Sequence, residues 1–528
     1  VVRKGSIVYA RGYGSANLEL NVPITPQTVF DIGSVSKQFT AMSIVLLAED
    51  GKLSLDDDIR KFIPELPAYG VPITLRSMLH HLSGLRSYTD LFDLAGVPEI
   101  DQTTDEDALA LIARQKKLNF PPGRQYLYSD TNYFLLALVV RRLTGESLRE
   151  FARQRLFEPL KMASTHFHDD HRMIVPRRAT GYAPRADGTF EIDMSNFEEL
   201  GDGSVMTTVE DLARWDQNFY APTVGGRIAI DELQDSGIRS DGTKTPYAMG
   251  LILDQYRGIP RVQHTGEWVG YRASLLRFPL QKLSVIVLCN MLGELDPLAL
   301  SERVSDIYLG VGESIPAERD SRPAPTASEL ASYVGTYWNA ETFAYLRFTA
   351  MAGTLALENG DSAQKLSYAG HGEFQAQNST TRYAFHRTAT GITVDAIDDD
   401  SDPVVLERIP ARAREDDLSA YAGTYYNDEL GASWNLEIRG AQLIRAQWMF
   451  PAQTLKPILP DTFTGDLSEG TYALRFTRND AGQVDGFEVG TTMVRPLRFS
   501  RCHPASPLDG GPIRLGCKSD LQGLYPSR

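Results

Sequence analysis

The chain is poor in cysteine, with three in 528 residues, and it contains no apolar run long enough to cross a bilayer. The longest such stretches, Tyr133 to Val140 and Leu283 to Leu292, fall well short of the roughly 20 residues that a membrane helix needs, so no membrane span is expected. Basic residues are also in deficit, 53 against 68 acidic ones, for a net charge of −15. No basic stripe with interleaved aromatics compensates for this, which argues against nucleic acid as a partner. Three cysteines leave the compartment open between periplasm, secretion and cytoplasm. Cys289 sits in an apolar strand pattern and reads as core, whereas Cys502 and Cys517, in a Pro/Gly-rich tail, are able to pair where the environment is oxidising. There is no initiator methionine: Val1-Val2 runs directly toward a hairpin with Ile7-Val8-Tyr9, which predicts a start within the fold and a signal peptide already lost.

A hydrophobic share of 42 % is enough for sizeable cores, and the length predicts two to four domains. Residues 1–314 mix helical and strand patterns, with strands at Ile7 to Tyr13, Arg261 to His264, Arg272 to Phe278 and Leu283 to Cys289. Strands at both ends predict an α+β domain with one antiparallel sheet flanked by helices. Residues 315–328 hold Ile315-Pro316 and Arg322-Pro323-Ala324-Pro325 and read as a linker. A repeat follows: Leu330-Ala331-Ser332-Tyr333-Val334-Gly335-Thr336-Tyr337 against Leu418-Ser419-Ala420-Tyr421-Ala422-Gly423-Thr424-Tyr425, with Asn339/Asn427 and Glu341/Glu429 at the same offset. Short alternating strands with Asn/Asp/Gly turns, among them Phe343 to Thr349 and Tyr472 to Thr477, predict two small antiparallel β-barrels, 329–410 and 411–528, the second carrying the C-terminal tail.

The chemistry is carried by Ser34 and Lys37, which open an apolar helix read from Phe39, Met42, Val45, Leu46 and Ala48 and closed by Gly51. A spacing of three sets Lys37 one turn from Ser34 on the same face. A serine hydroxyl needs a group to take its proton, and a desolvated lysine supplies one. The helix N-terminus adds partial positive charge for an oxyanion. Alone this spacing decides little, because Ser362 and Lys365 repeat it inside a β pattern. Two further motifs keep it company. Tyr126-Leu127-Tyr128-Ser129-Asp130 stands at the mouth of an apolar helix, where a tyrosine can relay a proton; the alternative is a packed aromatic with Asp130 as helix N-cap. His264-Thr265-Gly266 closes a strand whose hairpin partner starts near Tyr271, and its glycine permits close backbone approach to a substrate.

In this order the three motifs resemble those of the serine β-lactamase and penicillin-binding superfamily, in its class C-like branch of esterases, DD-peptidases and D-aminopeptidases. Leu79-His80-His81-Leu82-Ser83-Gly84-Leu85, Gly201-Asp202-Gly203-Ser204-Val205-Met206-Thr207-Thr208 and Arg11-Gly12-Tyr13-Gly14 are similar to structural signatures of that branch. The resemblance covers about residues 1–310. It implies Ser34 as nucleophile, Lys37 as its partner in deprotonation and Tyr128 as proton shuttle. It also puts His264 in the place of the family's Lys, and the backbone N–H groups of Ser34 and Glu267 in the oxyanion hole, with no cofactor and no metal. Asp130 stands where an Asn is usual; a fixed carboxylate there repels anionic substrates, or pairs with Lys37 and raises its pKa, and so disfavours β-lactam hydrolysis. His264 in place of Lys is the version found in members acting on D-residue peptides and amides.

Together with Asp130, the residues Thr265, Gly266 and Trp268 are candidates for substrate binding. Glu267 could meet a cationic or N-terminal amine, and Tyr88 to Leu94 form a candidate opposite wall. The tandem barrels are similar to the architecture of bacterial D-aminopeptidases, in which a loop of the last barrel limits substrate length; the corresponding turn here, Thr464 to Gly470, is short. Motif order and barrels are similar, too, to bacterial peptidases that open linearised microcystin. The expected activity is acyl-enzyme hydrolysis of small or linear peptides with D- or unusual residues. A carboxylesterase is the main alternative, and a weak β-lactamase or a non-catalytic sensor are the others. The oligomeric state is left open. One rival signal remains: His166-Phe167-His168-Asp169-Asp170-His171 matches a pattern of two-metal hydrolases, but its next histidine is His264, already claimed by the strand motif.

Overall fold

A computed structural model describes residues 1–502 except 186, 294, 311–324, 352, 360–361, 377–380, 390, 411–416, 447–451 and 468–469. The chain divides into two compact units, one made of Val1–Leu85, Glu99–Leu109 and Phe120–Glu318, the other of Arg86–Pro98, Ala110–Asn119 and Arg319–Arg528.

In the first unit the strands Ile252–Tyr256, Ile259–Trp268, Tyr271–Phe278, Leu283–Cys289, Val2–Arg3 and Ser6–Ile7 form one sheet in that order, antiparallel throughout. Both ends of the unit's sequence thus meet in one sheet, as the strand pattern predicts. All eight residues of Tyr271–Phe278 are buried, because this strand is covered on both faces. The N-terminal hairpin pairs Val2 with Ile7 across Lys4-Gly5, both at positive φ, the geometry a two-residue turn requires. The expected strand Ile7 to Tyr13 goes no further than Ile7. Beyond it the backbone presses on residues 24 and 25, and a Cβ at Gly12 would lie 1.9 Å from the Ile24 carbonyl oxygen. The strand with His264 is longer than expected and runs through Gly266 to Trp268.

Helix Lys37–Glu49 is buried over Lys37 to Leu47, so it is apolar nearly all round and central to the unit. It stops at Asp50, and Gly51 (φ +67°) turns the chain back, with its N–H on Ala48 O. Helix Asp130–Thr144 packs against it and against Leu75–Leu79, and Pro297–Leu309 lies on the sheet.

The second unit contains two closed eight-stranded antiparallel barrels, Gly335–Trp338 to Val404–Ile409 and Gly423–Asn427 to Leu497–Arg501. The repeat has a physical basis. Tyr337 and Tyr425 each donate their hydroxyl to the carbonyl four residues back, Tyr333 O at 2.9 Å and Tyr421 O at 2.8 Å. Gly335 and Gly423 share φ +150°, and a Cβ at either would approach an arginine, Arg408 or Arg501. Asn339 and Asn427 each tie their strand to a neighbouring backbone carbonyl, Val405 O and Arg498 O. The strands predicted at Phe343 to Thr349 and Tyr472 to Thr477 are Tyr345–Met351 and Thr471–Arg478.

Two segments from early in the sequence belong to this second unit. Glu429 accepts from Arg86 Nη1 (3.1 Å) and from the Lys116 backbone N–H (2.7 Å), while its own carbonyl accepts from Arg114 and Gln115. Tyr88 to Leu94, the candidate wall, is part of helix Tyr88–Ala95 in this unit. Of the expected linker 315–328, residues to 324 lie outside the described ones, and the rest leads into a helix, Ala327–Tyr333, capped by Thr326. Cys517 also lies outside the described residues, as do Ser468 and Glu469 of the turn after Thr464. Cys289 is a free thiol on its predicted strand. No helix among the described residues is long and apolar enough to cross a membrane.

Candidate active site

Ser34 does not stand in an α-helix. It lies in a 3-10 turn, Gly33–Ser36, that runs into the helix starting at Lys37. In a 3-10 turn residues three apart eclipse each other, so the lysine comes directly over the serine. Lys37 Nζ is 2.9 Å from Ser34 Oγ. It also donates to Asp130 Oδ1 at 2.8 Å and to Asp202 O at 2.7 Å, as many acceptors as an ammonium has N–H bonds. Its side chain is fully buried, and its charge sits 4.6 Å from the Tyr128 ring centroid. The turn itself is braced by Asp31, which accepts from the Gly33 N–H at 2.8 Å; burial pushes the Asp31 carboxyl up to about 6. Asp130 is not the helix N-cap but the first helical residue, after Ser129, and its carboxylate turns to Lys37. Of the two expectations for this aspartate, pairing is what occurs.

Tyr128 is buried and stacked on His81, with ring centroids 4.2 Å apart. His81 has φ +54°, and its Nδ1 accepts from the Ser129 N–H and faces Asn132 Nδ2, both at 3.1 Å. The same Asn132 accepts from Ser83 at 2.6 Å. The signature Leu79 to Leu85 therefore acts on the site, holding the turn that carries Tyr128. Burial keeps His81 far below the ordinary histidine range, hence neutral.

His264 is 3 % exposed, and burial brings its pKa down to about 4. Its Nδ1 faces Thr265 O at 2.6 Å and its Nε2 the Tyr247 hydroxyl at 3.0 Å. A carbonyl can only accept, so the proton is assigned to Nδ1, and Nε2 accepts from Tyr247. Both nitrogens of a neutral ring are thus engaged, and no positive charge stands where the family has its lysine. Tyr247 itself has no distinguishing signal in the sequence; only the fold brings it to His264.

Along Ile259–Trp268, Thr265 and Glu267 face outward while His264 and Gly266 are buried, the alternation of a strand. A Cβ on Gly266 would lie 1.9 Å from Ile32 O and 3.2 Å from Ser34 N; one on Gly33 would lie 2.7 Å from Glu267 N. Two glycines therefore let the Ser34 turn and the Gly266-Glu267 backbone approach closely, next to the two N–H groups expected for an oxyanion hole. The Glu267 carboxylate, exposed on the strand, forms an ion pair with Arg272, so a substrate amine meeting it would share it with that guanidinium. Trp268 is half-buried against Phe197, centroids 5.6 Å apart. The decoy pair at 362 and 365 lies on a barrel strand, Ser362–Gly370.

The histidine-rich stretch splits. His166 and His168 face each other at 3.4 Å beside the short strand His166–Phe167, and burial lowers them to about 4 and about 3. His171 instead pairs with Glu198 at 2.7 Å. Among the described residues, the group spaced for a metal ion is Asp170, His171 and Glu198, which leaves out both earlier histidines of the motif.

Curated relatives include the D-aminopeptidase of Brucella melitensis biotype 2, 27 % identical over 513 residues, which cover 95 % of this chain and 94 % of that one. Among solved structures, the octameric penicillin-binding protein homologue from Pyrococcus abyssi aligns with a TM-score of 0.56 at 24 % identity, over 77 % of this chain and 94 % of that one. The penicillin binding protein from Bacillus halodurans aligns at 0.51 and 24 %, over 58 % and 93 %. Residues 1–307 match the family described as Beta-lactamase, a segment that holds Ser34, Lys37, Tyr128 and His264 and is more than half of the 528 residues, and the chain belongs to that family.

Proposed function

We propose that the protein is a serine peptidase that forms an acyl-enzyme at Ser34 and acts on small or linear peptides carrying D- or unusual residues. The observation that carries this reading is the buried Lys37 at 2.9 Å from Ser34 Oγ and 4.6 Å from the Tyr128 ring centroid, beside the close approach of the Gly33 and Gly266 backbones. Support for the D-residue preference comes from the D-aminopeptidases similar along 95 % of the chain. Peptides in the manner of linearised microcystin are the finer version of the same substrate class.

Ser34 Oγ attacks the scissile carbonyl carbon and its proton passes to the Lys37–Tyr128 pair, whose protonation states are coupled. The N–H groups of Ser34 and Glu267 meet the oxyanion. The C–N bond breaks as Tyr128 delivers a proton to the leaving amine. Water then attacks the acyl carbon, releasing the acid and returning a proton to Ser34. With all three N–H bonds engaged, the Lys37 ammonium has no lone pair for a proton; it positions Ser34, and Tyr128 is the member of the coupled pair that is deprotonated when the Ser34 proton is taken up. His264, neutral and engaged at both nitrogens, fixes the strand edge rather than contributing charge.

The test is a panel of D- and L-alanyl p-nitroanilides and short peptides, an activated nitrophenyl ester and a chromogenic cephalosporin, each with wild type and Ser34→Ala. Cleavage of D-terminal amides by wild type and its loss in Ser34→Ala are expected. Hydrolysis of the ester alone would make the protein a carboxylesterase instead, and EDTA-sensitive turnover persisting in Ser34→Ala would overturn the serine mechanism.

A further inference from the structure

The signature Gly201 to Thr208 enters the chemistry above only through the Asp202 carbonyl, yet it meets the turn and helix of Lys37 at three places. The Val205 N–H donates to Ser36 Oγ at 3.1 Å, Lys37 donates to Asp202 O at 2.7 Å, and Thr40 Oγ1 donates to Gly201 O at 2.7 Å. Of the three acceptors of Lys37, Asp202 O is the one that belongs neither to the nucleophile nor to the Tyr128 motif. Where that carbonyl sits is decided by the loop 199–204. A Cβ at Gly201 (φ +107°) would lie 2.5 Å from Tyr133 O, so the middle of the loop is pressed against helix Asp130–Thr144. The ends of the loop are joined by Ser204 Oγ, which donates to Glu199 O at 3.0 Å.

Glu199 ties this loop to a further segment. It is 2 % exposed, and its Oε2 accepts from Thr103 Oγ1 at 2.9 Å, a bond between two buried residues 96 positions apart. Burial pushes its carboxyl up to about 8, with the Asp202 and Asp105 carboxylates acting in the same direction, so at neutral pH it is an uncharged hydrogen-bonding group. Its other oxygen, Oε1, is buried without a partner, which an uncharged carboxyl tolerates at far less cost than a carboxylate. Without the Thr103 bond, a buried polar group would be left unpaired on either side and the start of the loop would be released. We propose that Glu199 is a positioning residue of the active site: its hydrogen bond with Thr103 holds the loop whose Asp202 carbonyl fixes Lys37, and it acts through shape and hydrogen bonding rather than charge. The proposal rests on Lys37 acting on Ser34, as in the reading above.

Full-length wild type, Glu199→Gln, Glu199→Leu and Thr103→Val are compared at neutral pH by the rate at which a fluorophosphonate labels Ser34, followed by intact mass. Labelling should slow by roughly 10- to 100-fold in Glu199→Leu and in Thr103→Val, while Glu199→Gln, whose amide oxygen still accepts from Thr103, stays within about threefold of wild type. The double variant of Glu199→Leu with Thr103→Val should be no slower than the slower single one, because both changes remove the same bond. A Thr103→Val protein that labels like wild type, or a Glu199→Gln protein as slow as Glu199→Leu, overturns the proposal. Crystal structures of wild type and Thr103→Val supply a readout that needs neither reactivity at Ser34 nor the folding of Glu199→Leu. In Thr103→Val, Lys37 Nζ should stand more than about 3.5 Å from Asp202 O, beyond hydrogen-bond reach, and an unchanged contact overturns the proposal. A wild type that takes no label counts against the serine mechanism alone, and the Lys37 distance then decides the role of Glu199.

Discussion

At Lys37, one nitrogen meets Ser34, Asp130 and a backbone carbonyl, which is why the proposed mechanism assigns proton transfer from Ser34 to the tyrosine beside it. Stacking on His81 holds Tyr128 at that spot. An amide needs its leaving nitrogen protonated, whereas an activated ester does not. Tyr128→Phe should therefore lower kcat on D-alanyl amides by roughly 10²–10⁴-fold and spare a nitrophenyl ester by comparison. Parallel rate measurements on the two substrates check this, and equal losses would remove Tyr128 as the proton donor. Ser34, Lys37 and Tyr128 could be read from three motifs taken together and the family resemblance they carry. The neutrality of His264 could not, because it arises from burial and from Tyr247, a residue distant in sequence.

Among the secondary-structure elements, the site depends on a 3-10 turn and a strand brought unusually close. The sequence signals a helix start near Ser34, but not that its first turn is wound more tightly; the eclipsed geometry is visible only when Lys37 is found over Ser34. The strand alternation of Thr265 to Trp268 follows from period two, yet the motif lies within its strand rather than at its end. Gly266 is where turn and strand touch. Gly266→Ala would place a methyl at 1.9 Å from Ile32 O, a backbone atom that cannot step aside without moving the Ser34 turn. Expected are a fall of at least about 100-fold in kcat, by analogy with loss of an oxyanion donor, and a folded protein by circular dichroism. Wild-type kcat in that variant would mean that the turn yields freely.

Over the whole molecule, buried histidines make stability depend on pH. The folded His264 has a pKa of about 4 against 6.5 when exposed, so between those values the unfolded chain binds a proton that the folded one refuses. Its contribution is present above pH 6.5 and is lost as pH falls toward 4; His80, lowered to about 4, acts in the same sense. Asp31, raised to about 6, acts oppositely, since the folded state takes up its proton first on acidification. Urea unfolding of wild type and His264→Gln across this range isolates the first effect. The stability of wild type relative to the variant should fall by on the order of 3 kcal/mol from pH 6.5 to 4, and a constant difference would mean that His264 is protonated in the fold.

The sequence by itself determined the composition of a serine hydrolase of the peptidase and amidase kind, the α+β domain, the repeat that becomes two barrels and the order of the site motifs. The α+β domain and the barrels rest on local periodicity and glycine placement, whereas the hydrolase kind rests on the family resemblance that the motifs carry. Only the tertiary structure decided that Asp130 pairs with Lys37, that Arg272 pairs with Glu267, that Tyr247 meets His264, and that segments 86–98 and 110–119 join the barrel unit. Those outcomes depend on contacts between residues far apart in the chain and on burial, which sets the charge of a side chain, and neither leaves a periodic trace in the sequence.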